Sequence, residues 1–216
     1  MHRKIVTAVL ATAFAGVAST AAATASGAAP QAATAPGAMV MPAHHPGSEP
    51  GSEPTTLAQQ LAAARVATAR FALDLNAAKR AGYQIITPMM PDMGFHFLNS
   101  GITGFDVRRP HILVYEHTRH GWQLGALEWV FPQTPDTPPL EGATYGSFAA
   151  ACHYRDGTFV FTAAQADCAP RSPTTHSPFN FWHPDLVTLH VWLWYPNPDG
   201  LYHGTNPFIT PFNAAA

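Results

Sequence analysis

The chain has 216 residues, 47% of them apolar and only 11% charged, with 11 basic against 13 acidic side chains. That length and apolar content exclude a disordered protein and suffice for one domain with a real core. Lys and Arg form no stripe that would neutralise a phosphate backbone, which excludes nucleic acid as a partner.

In chain order, Met1-His2-Arg3-Lys4, the apolar run from Ile5 to Val17 and the small residues ending at Ala23-Thr24-Ala25 have the three parts of a secretory signal. Residues 1–25 are read as a signal peptide cleaved before Ser26, and the mature protein as secreted or held at the exterior of the cell envelope. Cleavage removes Arg3 and Lys4 and leaves nine bases against 13 acids, a net charge of −4. No later apolar run is long enough to span a bilayer, so no membrane span is expected after cleavage. Residues 26–56 are rich in Ala, Pro, Gly and Ser and repeat Gly47-Ser48-Glu49-Pro50 as Gly51-Ser52-Glu53-Pro54, the composition of a flexible linker. His44-His45 within it is assigned no site.

Residues 57–213 read as one globular domain. Thr55 or Thr56 caps an amphipathic pattern through Leu57, Leu61, Ala64, Val66 or Ala67, Phe71, Leu75 and Ala78 that stops at Gly82, which predicts one long N-terminal helix. A short strand, Gln84 to Thr87, follows. In Gly94-Phe95-His96-Phe97, period-two alternation puts His96 on the opposite face from the two phenylalanines.

His111 to His117 and Trp122 to Phe131 form a predicted hairpin with a glutamate inside each apolar run. With a three-residue loop, Thr118 pairs with Trp122, Glu116 faces Leu124, Glu128 faces Ile112, and both carboxylates share a face. A His120-Gly121 turn would put them on opposite faces. A carboxylate in a buried strand is costly unless it is paired, protonated or metal-bound.

The proline-rich segment from Phe131 to Thr144 is read as a loop able to cover a site. Cys152 and Cys168, a pair in an exported chain, are read as a disulfide; they enclose the turn signal Asp156-Gly157, so the bridge should pin a hairpin or loop. Leu186 to Tyr195 reads as a core strand running into the turn Pro196-Asn197-Pro198-Asp199-Gly200, with Thr188, His190, Trp192 and Trp194 on one face. The tail from Asn206 to Asn213 is expected to fold its phenylalanines back on the sheet. Together these elements predict an α+β fold, a long helix packed on a mainly antiparallel sheet that could curl toward a barrel.

The segments Gly94 to Phe97, Leu113 to Glu116, Leu127 to Val130, the cysteine pair and Phe181 to Gly200 resemble a family of uncharacterised exported bacterial proteins. The resemblance covers Leu57 to Asn213. It implies the extent of the domain and its export, and lends no activity.

Two histidines in apolar strands and two buried carboxylates make His96, His190, Glu116 and Glu128 candidate metal ligands, with His183 ranked below them and His153 a further candidate. Imidazole and carboxylate without thiolate suit a divalent transition metal: Zn, Fe, Mn or Cu. The equally simple reading of the glutamates is a wet sheet face or pairing with Arg108, Arg109 or Arg119. Three functions follow: a metal-binding exported protein, which a base or a second carboxylate could make an enzyme; a non-catalytic module binding a small molecule in a Trp-lined pocket that includes Trp192 and Trp194; or an interaction protein. No Gly-x-Ser-x-Gly elbow, His-Glu-x-x-His helix, phosphate-cradling loop or Cys-x-x-Cys is present.

Overall fold

A computed structural model describes residues 53–210. The expected signal peptide, most of the linker including His44-His45, and Phe212 lie outside the described residues. Helix α1 (Leu57–Thr68) opens with a capping box in which Thr56 accepts from the Gln59 backbone N–H and the Gln59 side chain accepts from the Thr56 N–H.

The long helix predicted to Gly82 is not formed. α1 ends after twelve residues, passes through one 3₁₀ turn at Ala69–Phe71, and a separate short helix α2 (Leu75–Arg80) starts at Asp74, whose carboxylate accepts from the Ala77 N–H. The cause is partly local: Thr68 Oγ1 donates to the Ala64 carbonyl, a bond that bends helices. The larger cause is tertiary, since the break frees carbonyls for the sheet. Ala72 O accepts from Leu124 N–H at 2.8 Å, and Phe71 O from the Tyr115 hydroxyl at 2.7 Å.

Nine strands follow among the described residues: β1 (Gln84–Ile85), β2 (Phe95–Leu98), β3 (Ile112–Thr118), β4 (Gly121–Phe131), β5 (Gly146–Phe148), β6 (Ala151–Tyr154), β7 (Phe159–Phe161), β8 (Phe179–His183) and β9 (Leu186–Val191). They form two antiparallel sheets, one of six strands in the order β1-β2-β3-β4-β9-β5 and one of three in the order β7-β6-β8. The mainly antiparallel α+β class therefore holds, and the two sheets do not close into a barrel.

One face of the large sheet is covered by the helices: Leu113, Tyr115, Leu127, Trp129 and Leu189 pack with Ala64, Phe71, Leu75 and Ala78. The Pro-rich segment joins this side, with Leu140 buried in the same core and Pro139 O accepting from Gln60 Nε2, so it does not cover the opposite face. On that opposite face Ile112, Val114, Ala126 and Trp192 form a smaller core, against which Phe181 of the three-stranded sheet packs.

The β3–β4 register differs from expectation in an instructive way. Arg119 and His120 form a two-residue turn, Thr118 pairs with Gly121, and Glu116 faces Gln123. Gly125 is then an extra residue between Leu124 and Ala126, a bulge that restores Glu128 opposite Ile112. Glu116, Ile112 and Glu128 thus lie on one face, although by a different route from the three-residue loop.

The Cys152–Cys168 bridge is formed and ties β6 to the turn after β7. In the tail, Ile209 rather than Phe208 is the buried residue; Phe208 is 47% exposed. No helix among the described residues is long and apolar enough to cross a membrane, and this, with the disulfide, is compatible with an extracellular protein.

Candidate metal centre

β9 ends at Val191, earlier than the sequence pattern suggests. Trp192 N–H bonds to Leu201 O, and Trp194 and Tyr195 N–H both reach Gly125 O in the β4 bulge. Trp192 keeps the face of His190 and stacks beside it, with ring centroids 6.4 Å apart and planes 14° from parallel. Trp194 is carried to the helix side, where its indole donates to Thr68 Oγ1 and lies 4.5 Å under the Arg65 guanidinium. Neither tryptophan lines the cavity described below, so the expected Trp-lined pocket is not that cavity.

His96 on β2, Glu128 on β4 and His190 on β9 project from the same face of the large sheet. Glu128 and His190 are direct cross-strand partners; His96 faces Val114 on β3, whose same-face neighbour Ile112 faces Glu128. β2 and β4 are two strand spacings apart, about 10 Å, so the long Glu and His side chains meet over β3. Each residue is 3–4% exposed. One ligand atom of each lies within 4.8 Å of the other two. The Nε2 atoms of His96 and His190 are 3.7 and 3.5 Å from Glu128 Oε2 and 3.5 Å from each other. The point equidistant from three atoms at these separations lies about 2.1 Å from each, the usual distance from a transition metal to imidazole nitrogen or carboxylate oxygen.

The electrostatics of the isolated triad are those of three groups kept neutral. Burial pushes the Glu128 carboxyl up to about 8. Burial, reinforced by the neighbouring His190 ring, pulls His96 down to about 3, and burial alone takes His190 to about 4. Glu128 Oε2 is buried with no hydrogen-bond partner among the described residues, an arrangement that costs stability when no cation faces it. His96 is held on its other side by Thr87, whose hydroxyl accepts from the His96 backbone N–H at 3.1 Å and pairs with Nδ1 at 3.0 Å.

Glu116 does not join this group. It is 1% exposed in a separate notch, walled by Gly94 and Gly125. A Cβ on Gly94, which has φ +95°, would lie 2.7 Å from Tyr115 O and 2.8 Å from Glu116 Oε1; one on Gly125 would lie 2.9 Å from the same oxygen. On β3 the Glu116 backbone lies two residues, about 7 Å, beyond Val114, which faces His96, and four residues, about 13 Å, beyond Ile112, which faces Glu128; its carboxylate is not among the ligand atoms that meet. Arg108, one of the arginines considered as a partner for the glutamates, pairs with Glu53, and Glu128 has His96 and His190 within ion-pair distance.

The triad lines a cavity of about 150 Å³ between the two sheets, walled by Ile86, Met90, Leu98, Ile112, Val130 and Phe181 among others. His183 also lines it, but from the small sheet and paired with His153: their Nε2 atoms are 3.0 Å apart. His153 is 1% exposed, stacks on Phe181 at 4.7 Å, and its ring is pulled down to about 4 by burial. Thr87, Met90 and Met93, which also line the cavity, were not singled out as site residues from sequence; Thr87 ends the predicted short strand, and the methionines lie in a Pro-interrupted segment with no periodicity that could place them. Comparison with protein-family models, with curated proteins and with solved structures found no match to this chain.

Proposed function

We propose that the protein is an exported metal-binding protein in which His96 Nε2, His190 Nε2 and the Glu128 carboxylate hold one divalent transition-metal ion, its remaining positions turned to the cavity for water or a small molecule. The observation that carries this reading is the meeting of three ligand atoms, from three strands, around a point at bonding distance from all of them. The donor set of two imidazoles and a carboxylate suits Zn, Fe, Mn or Cu. An ion bound there would supply Lewis-acid or redox chemistry to a molecule in the cavity.

The chain's own residues have separate tasks. Glu128 supplies the negative charge that its surroundings otherwise suppress. Thr87 fixes the ring plane of His96, and direct pairing on β4 and β9 fixes His190 against Glu128. The apolar wall limits water and sets the size of what can approach: about 150 Å³ takes a molecule of a few heavy atoms. A second reading, a small-molecule carrier without metal, is favoured by the same apolar wall.

Elemental analysis of the mature protein, purified without chelator, separates the two. Stoichiometric metal that is lost in His96→Ala and in His190→Ala, with the fold retained by circular dichroism, supports the metal centre; metal-free wild type that also fails to take up Zn(II), Fe(II), Mn(II) or Cu(II) supports the carrier.

A further inference from the structure

The histidine pair on the small sheet has a bonding pattern that an ordinary core pair would avoid. His153 Nδ1 is 2.7 Å from the Ile86 carbonyl oxygen, and His183 Nδ1 is 2.6 Å from the Pro184 carbonyl oxygen. A carbonyl only accepts, so both Nδ1 atoms carry hydrogen and both donate. Each neutral ring then presents a lone pair at Nε2, and the two Nε2 atoms face each other at 3.0 Å. Lone pairs at that distance repel unless an electrophile joins them. Backbone carbonyls on Nδ1 with Nε2 turned inward are the arrangement of metal-bound histidine, in which the outer hydrogen bond fixes the tautomer and orients the ring.

We propose that His153 and His183 are the protein ligands of a second divalent transition-metal ion, held on the small sheet and facing the same cavity as the triad. Two imidazole nitrogens 3.0 Å apart and each about 2.05 Å from one ion subtend an angle of about 95° at it, within the range of five- and six-coordinate ions. An all-imidazole pair selects an ion that prefers nitrogen, Zn(II) or Cu(II), over Mg(II) or Ca(II). The rings are positioned by separate elements. β6 carries His153 and is fixed by the Cys152–Cys168 bridge next to it; β8 ends at His183, where Pro184 turns its carbonyl to the ring. The other coordination positions open to the cavity, so water or a small anionic molecule completes the shell. This site does not depend on the triad's being loaded.

The test is metal stoichiometry in the mature protein, stripped and then titrated with Zn(II) and, separately, Cu(II). Wild type is expected to bind two ions per chain. His183→Gln and His153→Gln, each checked for native circular dichroism and an unchanged thermal midpoint, are expected to bind one, and His96→Ala/His190→Ala is expected to keep the ion at His153 and His183. If the triad reading alone fails, wild type binds one ion that is lost in His183→Gln and kept in the triad variant. If wild type binds at most one ion and His183→Gln retains whatever it binds, the second site is overturned and the pair shares a proton instead.

Discussion

Two glutamates stand on one face of one sheet, both almost fully buried, and only one of them belongs to a candidate site. Glu128 is 3% exposed and meets two imidazoles from β2 and β9; Glu116 is 1% exposed and fits between two glycines. Burial is the same, so burial does not make the difference. What differs is convergence: the strand order β2-β3-β4-β9 brings His96 and His190 to the end of β4 that holds Glu128, whereas the Glu116 carboxylate lies against Gly94 and Gly125. A buried carboxylate is a problem that a fold solves in more than one way, and a cation is one solution.

The largest expected effect separates the two carboxylates by metal affinity. Glu128→Gln, which keeps the shape and removes the charge and the oxygen donor, should weaken binding at the triad by at least about a hundredfold, while Glu116→Gln should leave it within about twofold. Calorimetric titration with Zn(II) checks both, and equal losses would break the distinction. Next in size is the packing of the notch: Gly94→Ala places a methyl group against Tyr115 O and Glu116 Oε1 at a positive φ and should destabilise by about 2–4 kcal/mol in denaturant unfolding.

Proton linkage sharpens the same contrast. In the metal-free protein Glu128 is raised from 4.5 to about 8, so the stability it contributes is complete below pH 4.5 and lost as pH rises through 8. His96 and His190 are lowered from 6.5 to about 3 and about 4; their contribution is complete above pH 6.5 and lost as pH falls through those values. Denaturation midpoints of chelator-treated protein should therefore decline as pH rises from about 4.5 to about 8 and level off above that. Glu128→Gln should remove that decline and Glu116→Gln should not. Metal uptake at neutral pH should also release about one proton per triad ion, that of Glu128, which titrations in buffers of different ionisation enthalpy will count. The smallest effect is a control: Leu73, 78% exposed between the two helices, should tolerate Leu73→Gln within about 0.5 kcal/mol.

Period-two alternation was enough to place His96 opposite Phe95 and Phe97, and His190 with Thr188 and Trp192, because a buried strand cannot change face without exposing apolar groups. The disulfide was legible from compartment, and local backbone bonding narrowed the helix cap to Thr55 or Thr56, of which Thr56 is the one used. Trp194 was misplaced because nothing local announces the end of β9; the strand stops where Gly125, bulged out of β4, offers its carbonyl to Trp194 and Tyr195. The split helix was missed because Phe71, Leu75 and Ala78 keep helical spacing across the break, while the sheet's demand for the Ala72 carbonyl has no trace in the local sequence.

The amino-acid order by itself determined which side chains face which way along each strand, where the cysteines bridge, and that polar groups sit in apolar segments. Only the tertiary structure decided which of them meet. Strand neighbours are chosen by long-range packing and by one bulge, so the same local alternation that describes Glu116 and Glu128 alike left open which would face two histidines and which would fill a gap between glycines.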